Sequence, residues 1–116
     1  MKLRFLFLIA VCFLTAFFGP AWRATAQILY GSLVGTVTDS SGAAVPEAKV
    51  TITNSETNAV RSVNTGTDGS YNFPTIQNGT YVVEVQKEGF RSYRTSGVLI
   101  STANVTRVDV SLNVGQ

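Results

Sequence analysis

Past residue 27 no apolar pattern recurs at helical spacing. What recurs is alternation: short runs rich in β-branched residues, each bounded by Gly, Pro, Asn or Asp. Such runs, with turn signals every ~8–12 residues, are the pattern of an all-β sandwich. The first, GSLVGTVTD, puts Leu33, Gly35 and Val37 on one face and Val34, Thr36 and Thr38 on the other. DSSGAAVPEA turns the chain, and KVTITN sets Val50 and Ile52 inward against Thr51 and Thr53. After SETNA comes VRSVNT, more polar and suited to a sheet edge. SYNF is expected to end at Pro74, which has no N–H to give a ladder. TYVVEVQKE sets Tyr81, Val83 and Val85 against Val82, Glu84 and Gln86. A sixth run lies within 92–100. The seventh, TRVDVSLNV, alternates Val108, Val110, Leu112 and Val114 with Asp109, Ser111 and Asn113. Seven short strands, paired antiparallel, predict one β-sandwich.

Two of the corners share a grammar. TDGSYNF at 67–73 and QNGTYVV at 77–83 each carry Asx-Gly, then Ser or Thr, then Tyr. Asp68-Gly69 and Asn78-Gly79 suit a type I′ turn, whose two central residues both need φ > 0. Tyr71 and Tyr81 then become the first large residues of their strands, each with a ring to bury and a hydroxyl that reaches the rim.

The first 26 residues read as a signal peptide. Lys2 and Arg4 precede an apolar run over 5–18, interrupted only by Thr15 and closed by Gly19-Pro20. ATA at 24–26 offers small residues to a signal peptidase, placing the cut between Ala26 and Gln27. A retained anchor would want about 20 apolar residues, and this run is shorter. Cys12 is a poor lipidation site, since Val11 precedes it and the apolar run continues past it.

Cleavage leaves a domain over 27–116. It keeps six Lys and Arg against seven Asp and Glu, because Lys2, Arg4 and Arg23 leave with the leader. No basic surface for nucleic acid remains, and no membrane-crossing segment is expected in the mature chain. With Cys12 gone, the domain cannot be a disulfide scaffold and must hold by packing and strand pairing.

The chemistry-bearing inventory is thin. The chain has no His, so the usual general base is missing, and the mature part also lacks a thiol nucleophile. Lys49 and Lys87 stand in no Ser–Lys motif. Asp68 and Asp39 stand apart from other acids, whereas calcium wants six or more oxygen ligands. The expectation is no catalytic residue, no cofactor, no metal and no enzyme. Tyr30, Phe90 and Tyr93 are the aromatic residues left outside the strand cores, and hence the candidate ligand contacts.

The order of motifs resembles the carboxypeptidase regulatory-like domain. Its pieces fall at Gly35 to Asp39, at Gly42 through Pro46 to Val50, at Gly69-Ser70-Tyr71-Asn72-Phe73, at Gly79 with Tyr81 and Val83, and at Gly89-Phe90. That resemblance implies a transthyretin-like (prealbumin-like) sandwich, grouped with starch-binding-like folds. The wording is also similar to the N-terminal extension of TonB-dependent outer-membrane receptors, Oar-like proteins among them. There a signal peptide leads into this module, and a plug and barrel follow. Neither is present here, so the resemblance implies a piece of a longer receptor or a freestanding copy.

The expected function is therefore an exported, non-catalytic accessory or interaction module, in the periplasm, at the outer membrane or secreted. Its partner would be a protein or receptor barrel, met through loops or an edge strand, with VRSVNT the edge to test. The alternative is a carbohydrate-binding module with a polysaccharide partner.

Overall fold

Alternation becomes strand wherever one face of a run can be buried. The computed structural model describes residues 29–115. The predicted leader and its Ala26–Gln27 cut lie outside the described residues. Eight strands form: β1 (Tyr30–Asp39), β2 (Lys49–Asn54), β3 (Val60–Asn64), β4 (Ser70–Gln77), β5 (Gly79–Gln86), β6 (Tyr93–Ile100), β7 (Val105–Arg107) and β8 (Val110–Leu112). One sheet has the order β3-β2-β5-β6. In the other, β1 is central, with β4 on one side and β7 and β8 on the other. The inward residues of both sheets meet in one core, with Leu33, Val37, Val50, Ile52, Phe73, Val83 and Val85 among its buried members.

The sandwich architecture is as expected, and three details differ. First, the last run is two strands, not one, and both pair parallel to β1. Between them the chain bows out at Val108 and Asp109. There the Asp109 carboxylate accepts from the Thr36 N–H at 3.0 Å and from the Thr36 hydroxyl at 3.1 Å. A side chain thus substitutes for the ladder over that gap.

Second, β4 runs through Pro74 to Gln77. Its register against β1 slips between Gly31 and Leu33, so Pro74 and Thr75 form a bulge on an edge strand. Proline is tolerated at such a place, where no neighbour needs its N–H.

Third, the two Asx-Gly corners are not hairpins. The first carries the chain from β3 in one sheet to β4 in the other, and the second carries it back from β4 to β5. Among the described residues only Glu47, Asn58 and Ala103 are non-glycines with positive φ, so Asp68 and Asn78 do not adopt the type I′ geometry. At the first corner the Gly69 N–H donates to the Gly66 carbonyl at 2.9 Å, closing a turn over Thr67 and Asp68. Gly69 alone takes the left-handed conformation, at φ 76°. At the second, Asn78 alone links β4 to β5. The same-sheet hairpins are instead β2–β3, over SETNA, and β5–β6, over the Gly89 turn.

Candidate functional site

Tyr71 and Tyr81 both point inward, at 4% and 5% exposure. Tyr71 lies edge-on to Phe73, ring centres 6.2 Å apart. Its hydroxyl crosses β1 to donate to the carbonyl of Val108, in the gap between β7 and β8. The crossing requires Gly35: a Cβ there would sit 1.9 Å from the Val108 oxygen and 2.6 Å from the Tyr71 hydroxyl. Burial, reinforced by the Asp109 charge, pushes the Tyr71 hydroxyl up to about 12. Tyr81 turns back on its own strand connection and donates to the Gln77 carbonyl at 2.6 Å.

The carboxylates of Asp39 and Asp68 serve their own loops. Asp39 Oδ1 accepts from the Ser41 hydroxyl at 2.6 Å and from the N–H groups of Ser41 and Ala43 at 2.9 and 3.0 Å. Asp68 Oδ1 accepts from the Ser70 hydroxyl at 2.6 Å and the Ser70 N–H at 3.0 Å. In each case the serine hydroxyl is the main reason the carboxyl lies below the ordinary carboxylate range. Gly42, at φ 87°, and Pro46 occupy the exposed loop between β1 and β2. Asn78 donates from its backbone N–H to the Leu29 carbonyl at 3.1 Å. Gly79, at φ 151°, lies beside Asn54. Among the described residues no three His, Cys, Asp or Glu side chains gather as a metal-holding group.

The three aromatic candidates are not brought together. Tyr30 opens β1, opposite Gln77, and is 45% exposed. Phe90, just past the Gly89 turn, forms a bridge with Val114 beyond β8, and Tyr93 pairs with Val85. Because β1 and β8 run parallel, Tyr30 and Phe90 sit at opposite poles, separated by the length of β1, roughly 30 Å at 3.3 Å per residue. Phe90 and Tyr93 are half-buried against the core. Tyr30 instead borders a shallow depression of about 220 Å³ with Pro74, Ala103, Asn104 and Val105.

The edge expected to meet a partner carries one tie to the other sheet. β3 is indeed an edge strand. Its Arg61 lies opposite the inward-facing Ile52, 5.9 Å from the centre of the buried Phe73 ring, and its guanidinium donates to the Thr75 carbonyl of β4. The two edges on that side are fastened to each other.

Several determinants carry no mark in the sequence. Thr65 is buried, accepts from the Ala48 N–H at 2.8 Å and donates to the Val45 carbonyl at 2.7 Å. Asn54 is buried and accepts from the N–H groups of Glu56 and Thr57 at 2.9 and 3.1 Å. Short polar residues at strand ends would flag both, but the same residues also sit at exposed turns.

This is a two-sheet sandwich whose corners are set by Asx-Gly pairs and whose tyrosines reach across strands. A family profile described as the carboxypeptidase regulatory-like domain matches residues 32–113. The chain belongs to that family. It is similar to the TonB-dependent transporter Oar of Myxococcus xanthus, 30% identical over 96 residues, covering 75% of this chain and 9% of that protein. Among solved structures it resembles catechol 1,2-dioxygenase from Pseudomonas arvilla C-1. The TM-score is 0.65 at 13% identity, over 81% of this chain and 55% of that one. It also resembles a putative carbohydrate binding protein from Bacteroides uniformis, with TM-score 0.59 at 15% identity, over 70% of this chain and 40% of that one.

These likenesses correct one expectation. The missing histidine, the missing thiol in the mature part and the absence of a catalytic motif predict no enzyme, yet catechol 1,2-dioxygenases share the fold. The architecture therefore does not set the chain apart from enzymes. At 13% identity the likeness shows the fold alone, and no activity passes with it.

Proposed function

We propose that this chain is an accessory interaction module of the cell envelope, working with, or as the N-terminal part of, a TonB-dependent outer-membrane transporter. The observation that carries the reading is its 30% identity to the Oar transporter over 75% of the chain. The family match over 32–113 supports the same reading, since it makes that similarity a matter of one whole domain. No helix among the described residues is long and apolar enough to cross a membrane. In this reading the module is held to the envelope by export and by what it contacts or continues into. The separation of Tyr30 from Phe90 and Tyr93 gives a sugar no shared platform, so polysaccharide binding receives no support from the aromatic side chains.

Fractionation of the source cells with an antibody to the domain tests this. The expected result is a signal in the outer-membrane fraction, on a transporter-sized band or co-purifying with one. A signal confined to the cytosol overturns the reading.

A further inference from the structure

The first and last strands of the domain lie side by side and run the same way. β7 pairs with β1 from Ser32–Val105 to Val34–Arg107, and β8 from Val37–Val110 to Asp39–Leu112. The backbone therefore enters at Tyr30, at one pole, and leaves beyond Leu112 at the other. Tension on the chain from both sides draws β1 toward its own start and β8 toward its own end. The inter-strand hydrogen bonds lie across that pull and are loaded together, in shear. A pair opened from one end loses its bonds one at a time.

We propose that the domain is a load-bearing link in the polypeptide, with β1 against β7 and β8 as its clamp. The break between the two short strands would be the weak point, and polar contacts bridge it. The Val108 N–H donates to the Val34 carbonyl at 2.9 Å. The Tyr71 hydroxyl takes the Val108 carbonyl, and the Asp109 carboxylate takes both donors of Thr36. Beyond it, the Thr38 hydroxyl reaches the Val110 carbonyl at 3.5 Å. Before it, the Ser32 N–H donates to the Asn104 carbonyl at 3.1 Å. The grip thus extends along β1 from Ser32 to Thr38. On its other side β1 is paired to β4, so it cannot peel away from the sheet. This role concerns the chain's own mechanics and stands whatever partner the module has.

Single-molecule pulling of the full chain decides it. Handles at Gln27 and Gln116 load the clamp in shear. Handles at Ala43 and Gln116 open the same β1–β8 pair from one pole, and Ala43 is an exposed residue of the loop that follows β1. The rupture force should be about twice as high in the first geometry, since forced unfolding reports the barrier along the pulled path. Asp109→Ala removes an exposed side chain and spares the core. It should lower the force between Gln27 and Gln116 and leave the other geometry unchanged. Equal forces in the two geometries, or an Asp109→Ala effect of equal size in both, overturn the proposal.

Discussion

The hydroxyl of Tyr71 donates to the main-chain carbonyl of Val108, 37 residues later, by passing over Gly35. One bond ties an edge strand, the central strand and the terminal segment of the same sheet. Tyr71→Phe keeps the ring and removes only the donor. It should cost about 1 kcal/mol, the usual net value of a neutral hydrogen bond. Urea denaturation with an unchanged m-value is the check.

Gly35→Ala should be far worse. Its methyl would overlap the Val108 oxygen at 1.9 Å, and a backbone atom cannot swing aside. Overpacking of this kind costs about 3 kcal/mol. In the double variant with Tyr71→Phe the loss should shrink only slightly, because the carbonyl clash remains. Full relief would place the strain at the hydroxyl instead.

Thr65→Val preserves shape and deletes the hydroxyl that the Ala48 N–H and the Val45 carbonyl share. Two buried backbone groups lose their partner, so a loss of about 2 kcal/mol is expected. Thr65→Ser should recover most of it in thermal melts.

The pH profile should be flat in the middle and fall at both ends. The chain has no histidine. Tyr71 holds its proton more tightly folded than unfolded, its value moving from 10.0 to about 12. Its contribution is therefore complete below pH 10 and is lost as pH rises toward 12. Asp39, Asp68 and Asp109 move the other way, below 3.8. The serine hydroxyls cause the first two shifts, and the Arg107 guanidinium is the main cause at Asp109. Their contribution is present above pH 3.8 and fades as pH falls through the lower folded values. Denaturant midpoints across pH 2–12 test both limbs, and Asp109→Asn should make the alkaline fall smaller and end it at a lower pH, its onset staying near 10.

Export predicts a processed chain. N-terminal sequencing of the protein recovered from the envelope should begin at Gln27. Recovery with Met1 intact would mean the leader is kept.

Strand faces were legible because burial on one side imposes a period of two, and β1 and β5 alternate without interruption. Sheet membership was not. An Asx-Gly pair reports a corner, but which sheet the next strand joins depends on distant neighbours such as β1 for β4 and β2 for β5. The division of the last run escaped for the same reason. Asp109 looks like an outward strand residue until Thr36, 73 positions earlier, comes within hydrogen-bond reach. Among the candidate contacts, exposure of Tyr30 could be guessed from its place ahead of the first run. The opposite placement of Phe90 followed only from the parallel pairing of β8, which alternation does not encode.

Arg61 and Pro74 together have a bearing on solubility. An unfastened strand margin invites a neighbouring molecule to continue the sheet, and a charge turned inward is a known deterrent. Here the guanidinium of one margin is spent on the carbonyl beside the kink in the other. A neighbouring molecule that tries to extend the β4 margin there meets a carbonyl already taken and a proline with no N–H to give, so that stretch is a poor template for fibril growth.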